Sequence, residues 1–266
     1  VALIEQRHPQ YLAPIRNTMT ESCYLVTGAS KGLGRALALL LAQNGNNVLA
    51  LARPSEALDS IEQMLIQHAP GSASIACDLS RPDSIAKAVE RIAEHTEQLA
   101  GIVHNAGAIA PVKAMAEVEG AMWARSIQVN LIGVQDLTQQ LRPMLGGDHQ
   151  SRVTVISSGA SLRPVHSWSA YCVSKAGLDM WSRCLAEEGR AVNISSISVA
   201  PGVVDTGMQR EIRSVPPEDF PSLETFIGLH EDGNLVASDV VAKQLYELVT
   251  AHSMDQSGMR FDVRDL

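Results

Sequence analysis

Thr27-Gly28-Ala29-Ser30-Lys31-Gly32-Leu33-Gly34 follows a short apolar run, Cys23–Thr27, and leads directly into a stretch of helical period, Leu33–Asn44. Glycines at a strand-to-helix turn let the backbone approach a pyrophosphate, whose charge the free N–H groups and positive dipole end of the helix favour. The spacing here is G-x-x-x-G-x-G rather than G-x-G-x-x-G, and a glycine turn needed only for packing is the plain alternative. Gly28, Ser30, Lys31, Gly32, Leu33 and Gly34 are the candidate contacts from this turn.

The same alternation continues outward along the chain. Further β-rich runs are expected at Asn47–Ala52, Ser74–Cys77, Gly101–His104, Arg152–Ser157, Asn193–Ala200 and Met259–Val263. Helical stretches are expected at Ser55–His68, Asp83–His95, Ala121–Leu145, Ala170–Glu188 and Ser238–His252. Strands alternating with helices predict an α/β fold: one Rossmann-like, doubly wound parallel sheet of about seven strands with helices on both faces. No internal repeat or linker divides residues 21–266, which read as a single domain. Residues 201–233, rich in Pro and Gly and with only a short helix expected at Leu223–Leu229, read as an irregular lid beside whatever the sheet binds.

Composition narrows the classes. The 266 residues carry 21 Lys+Arg against 29 Asp+Glu, a net charge of -8, which leaves no general basic footprint for nucleic acid. Cys23, Cys77, Cys172 and Cys184 include no pair at zinc-knuckle or redox spacing, so no metal site is expected. Ala36–Ala42 is the longest plainly apolar run and is far short of the ~20 residues that span a bilayer. Residues 1–20 are expected to form a poorly ordered extension. The first eighteen lack the apolar core of a secretory signal, which makes the cytoplasm the expected location.

Dinucleotide sites usually hold the adenosine ribose with an acid at the end of the second strand. Here that strand ends Leu51-Ala52-Arg53. A guanidinium beside the missing acid suits a 2′-phosphate, which favours NADP over NAD, and Lys31 offers a second cation to the same phosphate. Further on, Tyr171 and Lys175 are four apart on one helix face. A neighbouring cation would lower the tyrosine pKa and make the phenol a usable general acid and base. Y-x-x-x-K alone is also an ordinary surface pair.

Together these stretches resemble the short-chain dehydrogenase/reductase family from about Glu21 to the C-terminus. The match includes Thr27–Gly34, Asp78-Leu79, Asn105-Ala106-Gly107, Asn130, Ser158, Tyr171, Lys175 and Pro201-Gly202. The resemblance implies that Tyr171 protonates a carbonyl oxygen during hydride delivery and that Ser158, thirteen residues earlier, hydrogen-bonds that oxygen. Ser157 is the competing serine. Lys175 would bind the nicotinamide ribose, and Asn130 would hold a water in a relay to it. Asp78 and Leu79 would bracket the adenine. Asn105, Ala106, Gly107, Pro201, Gly202 and Val204 would line the groove, with Thr206 at the carboxamide. Capping roles are the alternatives for Asn130 and Asp78.

Trp168–Cys172, Asp205–Gln209 and Gly258–Asp262 resemble the sepiapterin reductase and benzil (diketone) reductase branch. There Asp262 would anchor a pterin, with Trp168 and Met208 as a wall against a flat ring, although each is equally an ordinary structural residue. The implied activity is NADPH-dependent reduction of a ketone or α-diketone. Oxoacyl-thioester or hydroxysteroid reduction, and a non-catalytic NADP-sensing regulator, are the alternatives. The resemblance also implies a homodimer, or a tetramer, built through the helices at 121–145 and 170–188.

Overall fold

A computed structural model describes residues 22–266, so the extension expected at residues 1–20 lies outside the described residues. Seven strands form one parallel sheet: β1 Cys23–Thr27, β2 Asn47–Ala52, β3 Ala73–Ala76, β4 Gly101–His104, β5 Ser151–Ile156, β6 Ile194–Ala200 and β7 Arg260–Asp262. Their order is β3-β2-β1-β4-β5-β6-β7. The order reverses between β1 and β4, and ligands of such sheets bind outside the strand ends at that point.

The strands read as nearly continuous apolar runs because both faces are covered. Alternate residues of β1 serve opposite layers. Tyr24 and Val26 pack with α1 (Gly32–Gln43), α2 (Glu56–His68) and α9 (Ser238–Ala251) through Leu37, Leu41, Ile61, Val241 and Leu245. Cys23 and Leu25 face the other layer, where α3 (Pro82–His95) contributes Ile85 and Ile92. That layer also holds α4 (Gly120–Ile127), α5 (Gly133–Gln140) and α6 (Ser169–Gly189). On α6, Tyr171, Ser174, Lys175, Leu178 and Ser182 form the buried stripe, whereas Val173 and Met180 face outward.

Two expectations are corrected. The helix expected over Ala121–Leu145 is broken: a π-turn at Gln128–Ile132 separates α4 from α5, and a 3₁₀ turn follows at Arg142–Met144. The extra residue in the π-turn carries the Asn130 side chain inward, where it pairs with both main-chain groups of Ala108 at 2.8 and 2.9 Å. The segment 201–233 is also more ordered than expected: the short helix expected at 223–229 is present, and a further helix precedes it. It contains α7 (Gly207–Arg213) and α8 (Leu223–Glu231). Ile212, Phe220 and Leu223 bury themselves against Ile109, Trp168 and Tyr171, so the segment owns part of a core.

Candidate active site

Thr27 ends β1 as a fully buried hydroxyl, and its Oγ1 accepts the backbone N–H groups of Asn105 and Ala106, each at 3.0 Å. Asn105 returns a bond from Nδ2 to the Thr27 carbonyl at 2.9 Å. The ends of β1 and β4 are thereby tied at the point where the strand order reverses. Gly28 lies there at φ +67°, and a Cβ on it would come within 2.9 Å of Ala106 Cα. Only glycine serves this approach.

From that turn α1 departs with Lys31 at its N-cap, no side-chain cap and no acid in its first turn. Its first N–H groups are therefore available to an anion. A cleft of about 1380 Å³ opens above them, lined by Gly28, Ser30, Lys31, Gly32, Leu33, Arg53, Asp78 and Leu79. It continues past Asn105, Ala106, Gly107, Pro201, Gly202, Val204 and Thr206 to Ser158, Trp168, Tyr171, Lys175, Met208 and Asp262. That volume exceeds the ~300–1,000 Å³ of a usual small-molecule site and leaves room for a dinucleotide with a second molecule beside it. Gly34 and Asn130 do not line it. Gly34 instead packs against Asn105 and the Gly28 carbonyl, where any Cβ would collide.

At the far rim Arg53 is exposed at the end of β2. Partial burial pushes the Asp78 carboxyl up, but two hydrogen bonds from Ser80 and the charges of Arg125 and Arg53 outweigh this and hold it below its usual range. Lys31 is turned another way, its ammonium 3.8 Å from where a Gly207 Cβ would stand. Lys31 thus lies beside the start of α7, and both it and Arg53 line the cleft.

At the reacting end Ser158 caps a 3₁₀ turn, its Oγ accepting the Ala160 N–H at 3.1 Å. It is also the serine whose side chain acts on the Tyr171 hydroxyl, favouring its ionised form, whereas the Ser157 hydroxyl is buried without a hydrogen-bond partner. Lys175 is buried, donates to the Ile156 carbonyl at 2.7 Å, and holds its ammonium 5.7 Å from the Tyr171 ring centroid. Burial lowers the lysine to about 8, opposed by Asp179. The expected lowering of the tyrosine is not met. Burial pushes Tyr171 up to about 12, against the Ser158 hydrogen bond, because the ring is enclosed and the lysine charge is tethered to Ile156.

Asn130 is fully buried, with its amide nitrogen donating to the Ala108 carbonyl and to the Ser126 and Ser174 hydroxyls. Asp262 lines the cleft, but its carboxylate is already engaged. Oδ1 accepts Arg264 N and Nε at 3.1 and 2.8 Å, and Oδ2 accepts Nη2 at 2.6 Å. The wall beside Tyr171 is aromatic: Trp168 meets Tyr171 edge-on at 5.7 Å and Phe226 at 5.3 Å. The Tyr171 hydroxyl lies 4.0 Å from Met208 Sδ. Neither Phe220, in the stretch read as a loop, nor Phe226, in the short helix expected at 223–229, was anticipated as part of this wall. Among the described residues no cluster of His, Cys, Asp and Glu could hold a metal, and no helix is long and apolar enough to cross a membrane.

Comparison with known proteins agrees with this architecture. A benzil reductase ((S)-benzoin forming) of Bacillus subtilis is 33% identical over 91% of this chain and 98% of its own length. Sepiapterin reductase of Xenopus tropicalis is 33% identical over 91% and 95%. Among solved structures, KRED1-Pglu enzyme superposes with a TM-score of 0.82 at 32% identity, covering 90% of this chain and 99% of that one. A Pseudomonas aeruginosa RhlG/NADP active-site complex superposes at 0.78 with 25% identity, covering 91% and 94%. The short chain dehydrogenase family model matches residues 22–216, and with the nucleotide-type cleft and the Ser158, Tyr171 and Lys175 cluster this establishes that the chain belongs to the short-chain dehydrogenase family of oxidoreductases.

Proposed function

We propose that this protein is an NADPH-dependent carbonyl reductase whose substrates are α-diketones of the benzil type. The observation that carries the reading is the pairing of Ser158 with a buried Tyr171 beneath an aromatic wall, at one end of a cleft whose other end bears Arg53 in place of an acid. The uncapped α1 terminus, the glycine turn and the exposed guanidinium fit a dinucleotide with a 2′-phosphate. A relative solved with NADP and relatives named for benzil and sepiapterin reduction support the same choice. When bound, NADPH supplies the hydride.

The chain's own groups handle the proton. Ser158 Oγ accepts from Ala160, so its O–H is the group that would donate to a substrate oxygen beside Tyr171. Tyr171, held protonated by burial, stands as the acid for the developing alkoxide. Lys175 supplies positive charge beneath the ring and donors toward a ribose. A water relay from Asn130 would start at a carbonyl oxygen of that residue, since its amide N–H groups are committed. We read α7 and α8 as the lid that keeps bulk water from this oxygen.

A pterin with a side-chain diketone is the second reading, favoured by Asp262 in the cleft lining, but it must compete with Arg264 for the carboxylate. The test is NADPH oxidation across benzil, small diketones, sepiapterin, acyl thioesters and hydroxysteroid-type ketones, repeated with Asp262→Ala. Turnover of benzil that survives Asp262→Ala is the expected result. A selective loss of pterin turnover would move the substrate to the second reading, and no oxidation with any carbonyl would overturn the proposal.

A further inference from the structure

We propose that Arg260, on the edge strand β7, is a positioning residue that ties the catalytic serine's main chain to the helix bearing the catalytic tyrosine and lysine. Its Nη2 donates to the Ser158 carbonyl and its Nε to Asp179 Oδ2, both at 3.1 Å. Asp179 lies one turn beyond Lys175 on α6, as Tyr171 lies one turn before it, so the three share a face. The inference rests on the reductase reading above, with Ser158, Tyr171 and Lys175 as the reacting cluster.

The clamp is largely withdrawn from solvent, with side-chain exposures of 22% for Arg260 and 13% for Asp179, so its charges are weakly screened. The second Asp179 oxygen, Oδ1, is buried with no hydrogen-bond partner. It therefore keeps charge to direct along α6. The Ser158 carbonyl is held from two sides, by Ser161 through its backbone N–H at 3.1 Å and its hydroxyl at 2.8 Å, and by Arg260. The planar guanidinium makes the two bonds from two nitrogens held in a fixed spread, a geometry that the single nitrogen of an ammonium does not reproduce. Pairing of Arg260 at Ser198 puts β7 where this reach is possible.

The charged and titratable groups that act on Lys175 are Tyr171 and Asp179, both from α6, and Arg260 of β7 reaches it through Asp179. The neutral Ile156 carbonyl of β5 and Asn130 of the π-turn complete its surroundings. Asp179 favours the lysine cation, and Arg260 draws on the same carboxylate. Removing Asp179 should make Lys175 lose its proton at lower pH. Removing Arg260 should make it hold the proton to higher pH. A purely structural brace would not give shifts of opposite sign.

The test is a pH titration by NMR of the protein labelled with ¹³C at lysine Cε, the Lys175 signal being assigned with Lys175→Arg. It is run on wild type, Asp179→Asn, Arg260→Met and Arg260→Lys, beside pH profiles of NADPH-dependent benzil reduction. Asp179→Asn should lower the Lys175 midpoint and the alkaline limb, and Arg260→Met should raise them, each by about one pH unit. Arg260→Lys should restore the midpoint while kcat stays about 10-fold down, because one of two charged bonds is lost. Midpoints that stay put, or move in the same direction, overturn the inference, and Asp179→Asn with Arg260→Lys decide it if Arg260→Met does not fold. If wild type reduces no carbonyl, the reductase reading falls while the titration still reports on the clamp.

Discussion

Trp168 and Phe220 stack face to face, with ring centroids 5.3 Å apart and planes 12° from parallel. Phe220 is fully buried, and Trp168 in turn meets the Tyr171 ring edge-on. The segment between α7 and α8 thus reaches the catalytic ring through one indole. Phe220→Ala should cost roughly 3–5 kcal/mol in urea unfolding. It should also lower kcat, because the cavity lets the indole that backs Tyr171 shift. A stability loss with unchanged kcat would show that the indole does not hold the tyrosine.

Tyr171→Phe removes the proton donor while keeping the ring that packs against Trp168. Turnover with benzil should fall by about 10²–10⁴-fold, with thermal stability little changed. Steady-state rates and a melting curve check this. Activity within a few-fold of wild type would exclude Tyr171 as the acid.

Arg53→Ala should weaken NADPH binding by about 10–100-fold, the worth of a charged hydrogen bond to phosphate, and leave NADH nearly untouched. Calorimetric titration with both cofactors reads the difference directly. Equal losses for the two would mean that the guanidinium does not meet a 2′-phosphate.

His104 and His252 make the fold acid-sensitive. Thr138 donates to the Val134 carbonyl, so its oxygen accepts from His104 Nε2–H, and His104 Nδ1 is left buried without a partner. Burial lowers His104 to about 3, and His252 to about 4 against its bonds with Leu248 and Ser195. Between those values and the ordinary 6.5 the unfolded chain binds more protons than the native one. Stability should therefore decline as pH falls below 6.5 and level off only below about 3. Denaturant midpoints from pH 7.5 to 4.5 test the slope, which His252→Gln should flatten.

The layers of the fold could be read from the chain because buried parallel strands and amphipathic helices leave different apolar periods. Thr27–Gly34, Arg53 and the Tyr171, Lys175 pair announced the cleft for local reasons: close backbone approach, charge at a strand end, one helix face. The π-turn stayed hidden because Val129, Leu131, Ile132 and Val134 keep the segment apolar on either side of the shift. A short helix was legible where α8 lies, but α7 was masked by the nearby glycines and prolines, and the order of the segment comes from packing on Trp168 and Ile109, which are distant in sequence. The sign of the Tyr171 shift was missed for a similar reason. Spacing locates a cation, but enclosure by other elements decides what the phenol feels. Arg260 stood in plain view without a role, since nothing local links it to Ser158, 102 residues away.

The interrupted helix also acts as a gauge. Gly133 lies so close to the Leu79 carbonyl that no side chain fits between them, and earlier in the same segment Asn130 grips Ala108. Leu79 follows β3 and Ala108 follows β4, and both line the cleft. The spacing of those two loops is consequently set by one helical segment touching both, not by the loops themselves. A bulkier residue at 133 would push the Leu79 loop away from this segment and so change the spacing that Asn130 fixes at Ala108.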